Sequence, residues 1–393
     1  MNGNMQLVLV EGPMLAREFI AVATEIYRND PHWIRPLDKD INEVFDPIKN
    51  KAFQQGEAVR WILKDGNGKS IGRIAAFVQA KYKNKGDEFP VGCIGFFECI
   101  YDQEAANLLF DTAKNWLQQK GVEAMDGPIN FGERDKFWGL MLEGFYEPLY
   151  GMNYNPPYYQ ELFEQYGFEV FYNQICWILE VMNSGGQLQP KFYEAHKRFA
   201  GKKGYKAIHV NKKNLDQFAR DFCTIYNKAW AGHEGNKEMS EAAAIKLFRS
   251  MKPVMDEKLG WFTYYNDEPI AMWMNIPDLN QIFKHLNGQF NWWAKLKFLY
   301  YKSTGACNRM VGIIYGIIPK FQGTGVDYYM IVEAEKTIKP LNRYNEIELL
   351  WQGDFNPKIL NISKNLGARQ SRRLATLRYQ FDRSRPFKRH PIL

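Results

Sequence analysis

The sequence predicts an α/β protein with a mixed sheet, built from two similar halves. Three observations predict it. Stretches of strand and helix periodicity alternate along the whole chain. The element order of the first half returns in the second. A short echo marks the same point of each half: Asn155-Pro156-Pro157 … Tyr166-Gly167-Phe168, then Asn356-Pro357 … Leu366-Gly367-Ala368. In each, an Asn-Pro pair opens a short amphipathic helix, whose first turn tolerates a residue without an N–H. A glycine closes each helix, as a left-handed cap does.

The elements follow in order. MQLVLV (5–10) reads as a strand, and Leu15, Phe19, Ile20, Ala23 and Ile26 recur at helical spacing after it. VRWILKD and IGRIAAFVQAKY form a hairpin around Gly66 and Gly68. PVGCIGFFECIYD (90–102) is a strand, and Asp102 caps the amphipathic helix that ends at Gly121. The 155–169 helix and the strand YNQICWILEV close the half. NSGGQLQP (183–190), polar and glycine-rich with a closing proline, is the linker between domains 1–182 and 191–393. The second half reads strand 205–210, helices 214–230 and 240–255, hairpin 260–276, strand 308–319, helix 325–339, strand 346–352, helix 356–368 and strand 373–381.

Composition narrows the function classes. At 46% hydrophobic and 24% charged residues the chain is globular. Five scattered cysteines without CxxC spacing point to reduced thiols rather than a disulfide framework or structural zinc. Six histidines without ligand spacing predict no metal. No leader-like N-terminus and no apolar run of roughly 18 residues is present, so a cytoplasmic protein is expected. The net charge of +7 gathers toward the C-terminus, at Arg369, Arg372, Arg373, Arg378, Arg383, Arg385, Lys388 and Arg389. Two readings are open there: a solvated last strand and tail, or an anion-attracting surface. NWWAKLKFLYYK (291–302) mixes aromatics with Lys295, Lys297 and Lys302, and reads either as a membrane-surface helix or as one packed on its own domain.

IIPKFQGTGVDYYM (317–330) carries the chemistry. A long apolar strand reaches a proline, turns through Gln322-Gly323-Thr324-Gly325-Val326, and enters a helix. The first amides of such a helix lack partners within it, the macrodipole adds positive potential, and glycines admit a phosphate to the backbone. The alternative is a tight strand-to-helix turn with glycines for conformation only.

The pattern Gln322-x-x-Gly325 in this strand–loop–helix context resembles the phosphate loop of the GNAT acyltransferase superfamily. Residues 127–168 and the stretches IPDLNQIFKHLNGQF and GIIPKFQGTGVDYYM resemble its tandem, two-domain members over nearly the whole chain. The resemblance implies two GNAT-like domains and an N-acyltransferase using acetyl-CoA or another acyl-CoA on a small amine. By resemblance Ile317 and Ile318 pair with the pantetheine, and the amides of Gln322, Gly323, Thr324, Gly325 and Val326 meet the pyrophosphate. The asparagine position of the following helix maps to Asn356. Asp327 departs from the family pattern, which has glycine or alanine there. The first half lacks the loop and is expected to be a degenerate domain.

The family's usual tyrosine is replaced by Ser363 and Phe163, so the candidates for proton transfer are carboxylates: Glu98 within an apolar strand, and Glu348 beside Glu346. Tyr154, Asn155 and Tyr158, with Asn130, Arg134 and Glu143 upstream, form the expected substrate wall. Two other readings stand beside the enzyme. One is a binding or scaffold protein of the same fold. The other is an aminoacyl-tRNA-dependent transferase, which the basic C-terminus would suit.

Overall fold

The computed structural model describes residues 5–181, 188–230 and 238–393. The first half runs β1 (Gln6–Leu9), α1 (Gly12–Ile26), α2 (Asp38–Val44), β2 (Gly56–Lys64), β3 (Ser70–Gln79), β4 (Val91–Cys99), α3 (Gln103–Gln119), β5 (Ala124–Gly127), β6 (Leu140–Glu143), α4 (Tyr159–Tyr166) and β7 (Glu169–Glu180). The second runs α5 (Pro190–Phe199), β8 (Tyr205–His209), α6 (Leu215–Trp230), α7 (Glu241–Met251), β9 (Gly260–Tyr265), β10 (Glu268–Pro277), α8 (Asn280–Phe283), α9 (Trp292–Ser303), β11 (Arg309–Ile317), α10 (Val326–Ile338), β12 (Glu346–Gly353), α11 (Pro357–Asn365) and β13 (Arg369–Gln380). Residues 183–187 of the expected linker lie outside the described residues, and Pro190 already starts α5, which the sequence reading lacked.

Local signals explain most boundaries. The Asp102 carboxylate accepts from the Ala105 amide at 2.9 Å and caps α3. Gly167 closes α4 in the left-handed region at φ 105°. The two Asn-Pro sites differ, however. Asn356 caps α11, accepting from the Ile359 amide. Asn155 does not open α4, which starts four residues later; its side chain instead bonds both the N–H and the C=O of Met141.

All strands join one mixed sheet in the order β1-β2-β3-β4-β5-β13-β7-β12-β11-β10-β9-β8, with β6 beside β13. Alternate residues serve opposite faces: Ile62 and Ala75 meet α1, whereas Leu63 and Ile74 meet α3. The last strand of each half crosses over. β13 lies against β5 of the first half, β7 lies against β12 of the second, and the two pair antiparallel with each other. In both halves a parallel pair parts midway. β4 pairs with β5 only over Val91–Cys93, and β11 with β12 only over Arg309–Gly312.

β13 carries two buried arginines. Arg372 is fully buried; its Nε donates to Glu348 at 2.7 Å, and its other nitrogens donate to the carbonyls of Tyr146 (2.8 Å) and Glu147 (2.7 Å). Arg378 donates to both oxygens of Asp126 at 2.7 and 2.8 Å and to Asp87 at 2.8 Å. Glu348 and Asp126 hold the same place in their halves, opposite Val311 and Cys93 in the two parallel ladders. Other C-terminal cations also pair within the chain: Arg373 with Glu143, Arg385 with Glu123, Lys388 with Glu88 and Arg389 with Asp354. Of the two readings of the C-terminal charge, the anion-attracting surface is therefore the less supported, since most of these cations are taken up in ion pairs within the chain.

Arg372→Ala should destabilise the protein by about 3–5 kcal/mol in urea unfolding, because it strands the buried Glu348 charge. Replacing both partners, Arg372→Met with Glu348→Leu, should recover most of that loss. A single variant within about 1 kcal/mol of the parent would show that the pair carries little.

Candidate functional site

The 322–326 turn ends in a helix start without a side-chain cap. Gly323 and Gly325 both sit in the left-handed region, at φ 73° and 86°, and Gly325 occupies the cap position of α10. Inside the turn Gln322 N–H donates to Pro319 at 3.2 Å, Thr324 N–H to Phe321 at 3.4 Å and Val326 N–H to the Thr324 hydroxyl at 3.4 Å. Among the described residues none accepts from the Gly323 and Gly325 amides. A further group joins these two amides that the sequence reading missed. α5 packs along α10, with the Phe192 and Tyr328 rings 4.1 Å apart, and sets Arg198 over the turn. A methyl group built on Gly325 would lie 3.1 Å from the Arg198 guanidinium and 3.2 Å from Ala195. No pattern in the loop itself signals Arg198, because it comes from α5, more than a hundred residues earlier in the same half.

Asp327, the departure from the expected pattern, accepts from the Tyr315 hydroxyl at 2.6 Å and is tied to β11. The Ile318 N–H is bonded to Ile270 of β10 at 3.0 Å, so the expected pantetheine pairing at Ile318 meets an occupied donor. Antiparallel pairing alternates, so Ile317 and Tyr315 turn their backbone groups to the open side where β11 leaves β12. Gln322 Nε2 donates to the Ile317 carbonyl at 3.1 Å.

A separate cavity of about 70 Å³ lies at the first half's parting strands. Glu98 stands in its wall, 8% exposed. Its Oε2 accepts from the hydroxyls of Tyr27 and Tyr159, both at 2.8 Å, and its Oε1 from Arg73 at 3.2 Å. Burial lifts this carboxyl above the ordinary range, against the pull of Arg73 and the two hydroxyls. Across the cavity Tyr150 donates to the buried Asp40 at 2.7 Å. Asn280 of α8 closes the side facing the second half.

Of the expected substrate wall, Tyr154 and Asn155 reach this cavity. Asn130 is buried beside Glu133, Arg134 lies over Trp138, Glu143 pairs at the surface with Arg373, and Tyr158 donates to the Cys99 carbonyl. Glu348, expected as a proton acceptor, is fully buried and held by Arg372 and the Ser371 hydroxyl. Both of its oxygens are taken up by Arg372 and neither reaches solvent, so it serves as that arginine's structural partner rather than as a base. Asn356 caps α11 and Ser363 is buried against Gln352.

The cavity and the turn are far apart. β4 and β11 are separated by five strand spacings, about 24 Å at about 4.8 Å each, and run in opposite directions. Their open ends therefore face opposite edges of the sheet.

The sheet with its two parting strand pairs has the fold of tandem GNAT proteins. A GCN5-related glucosamine N-acetyltransferase region in a fungal multi-domain GH3 β-N-acetylglucosaminidase superposes at a TM-score of 0.54, with 11% identity over 96% of this chain and 38% of that one. A tandem GNAT protein from the clavulanic acid biosynthesis pathway superposes at 0.51, with 9% identity over 98% and 100% of the two chains. In sequence the chain is 25% identical over 373 residues to a bacterial ceramide synthase of Caulobacter vibrioides, covering 93% of this chain and 95% of that protein. It is 23% identical over 366 residues to the protein YghO of Escherichia coli, covering 91% and 90%. No family model matches the sequence.

Asp278, just before the α8 wall of the cavity, is 1% exposed, and burial lifts its carboxyl from 3.8 to about 6 despite Arg309 at 3.6 Å. The folded chain thus keeps a proton that the unfolded chain has released. This contribution to stability is complete below the ordinary carboxylate range and is lost as the pH rises through about 6. Between about pH 4 and pH 7 the parent should lose on the order of 2–3 kcal/mol relative to Asp278→Asn in chemical unfolding. A pH-independent difference would refute this account.

Proposed function

We propose that the chain is an N-acyltransferase moving an acyl group from acyl-CoA to an amine carried on a long apolar chain. The observation that carries the donor side is the 322–326 turn: left-handed glycines, an uncapped helix start and Arg198 above it, after a strand that parts from its neighbour. These features suit the phosphates of CoA. The acyl arm then runs along the open side of β11, past Tyr315 and Ile317. The acceptor class follows the Caulobacter relative's name, since ceramide is an amide of a long-chain amino alcohol. In the reaction the neutral amine attacks the thioester carbonyl. A C–N bond forms, the C–S bond breaks, the CoA thiolate leaves, and the amine gives up a proton. An acyl-CoA donor agrees with a cytoplasmic protein, with 1–182 and 191–393 as its two GNAT-like units.

Glu98 favours a second reading, in which the amine enters the first-half cavity and the reaction takes place there. A buried carboxyl with a raised pKa is suited to take a proton from an ammonium group. The two readings differ in which half hosts the chemistry. Most of the basic C-terminal residues that suggested a tRNA partner are paired with acids within the chain, so we do not favour that alternative.

Titration calorimetry with CoA and a long-chain acyl-CoA should show binding that Arg198→Ala weakens by about tenfold or more. A parent that binds neither ligand would leave the chain as a binding protein of this fold. Glu98→Gln separates the two readings in a turnover assay with a long-chain amine. Reaction at the second half predicts a rate within about threefold of the parent. Reaction at the cavity predicts a loss of about a hundredfold or more, with CoA affinity unchanged.

A further inference from the structure

We propose that α9 and its flanking lysines dock the protein on an anionic lipid bilayer. The helix is apolar on two opposite sides. One side is core: Ala294 and Phe298 are buried with Leu286 and Phe283, and Tyr301 stacks on His285 at 3.9 Å. The other side faces water with large apolar groups: Trp292 is 66% exposed, Trp293 71%, Leu296 41%, Leu299 59% and Tyr300 63%. At about 100° per residue these five share one face, centred opposite Phe298. Scattered exposed apolar residues are ordinary, but a contiguous stripe of five marks an interaction surface.

Charge selects the occupant. Lys295 falls on one flank of the stripe and Lys297 on the other, both exposed. From Leu279 to Val326 the sequence contains no Asp or Glu. Tryptophan and tyrosine settle at the level of lipid headgroups, leucine reaches the acyl chains, and flanking lysines extend to anionic phosphates. A second copy of the chain fits less well, because a symmetric contact along the stripe would bring lysines against lysines.

The surface adjoins the cavity. Phe283, in the same apolar cluster as α9, meets Tyr150 of the cavity wall edge-on at 5.1 Å, and Asn280 reaches from α8 to the Pro148 carbonyl at 2.8 Å. A docked protein would thus hold the cavity beside the bilayer, where an amine on a long apolar chain resides. That purpose rests on the proposed function; the docking does not.

The test is flotation of the full chain with phosphatidylcholine vesicles, with and without phosphatidylglycerol, in the absence of acyl-CoA or amine. The parent should float with the anionic vesicles and be released by salt. The Trp292→Ala, Trp293→Ala double variant should partition about tenfold less or worse, with its thermal unfolding unchanged. Lys295→Glu with Lys297→Glu should lose the preference for anionic vesicles. A parent that floats with neither vesicle, or a double tryptophan variant that floats as well as the parent, overturns the proposal. So does a dimer in light scattering that the tryptophan substitutions dissolve, since the stripe would then belong to a second copy. Because no turnover is measured, failure of the acyltransferase reading leaves this result intact, and the reverse also holds.

Discussion

The architecture depends on the pairing of β13 with both halves at once. Its Arg372 is fully buried against Glu348 and the carbonyls of the 144–147 segment, and its Arg378 against Asp126 and Asp87. A buried guanidinium is tolerated only where nearly every donor is satisfied and an anion lies alongside. That demand fixes the place of β13 between β5 and β7, and so the register of one half against the other. The cavity depends on the same contacts, because Arg372 holds the segment that leads into Pro148, Tyr150 and Tyr154.

The two halves share a plan but differ where an anion would approach. At α3 the carboxylate of Asp102 already occupies the helix start, and its charge opposes a phosphate. At α10 a left-handed glycine stands in that place and an arginine lies over it. Conversely, the first half holds a buried carboxyl beside a cavity, whereas the matching edge of the second half has Ile317 and the turn. The two halves thus differ in which groups stand at the parting strands: an uncapped helix start under an arginine in one, a buried carboxyl beside a cavity in the other.

Much of the fold is legible in local patterns. The Asp102 cap, the Gly167 stop and the hairpin at Asn266-Asp267, both at positive φ, follow from short-range chemistry that a sequence displays directly. Less of the site is. Glu98 stood out as a polar residue in an apolar strand and does line the cavity. Glu348 stood out in the same way and proved to be an arginine's partner. Only the contacts around each carboxyl distinguish the two, and those come from residues 25 or more positions away on one side and from β13 on the other. Arg198 carried no signal, and nothing in the stretch around Asn280 pointed to the cavity, since their neighbours at the sites are distant in sequence.

By itself the sequence determined the α/β class, the repeated element order, the glycine turn before α10 and the mixed aromatic and basic character of α9. Each rests on interactions within a few residues, where periodicity and capping operate. Tertiary structure alone decided that the halves exchange their last strands, that the C-terminal arginines serve buried acids, that α5 brings Arg198 to the turn, and which face of α9 meets water. Those outcomes depend on which surfaces are covered and which charges find partners, and both are settled only when distant segments pack together.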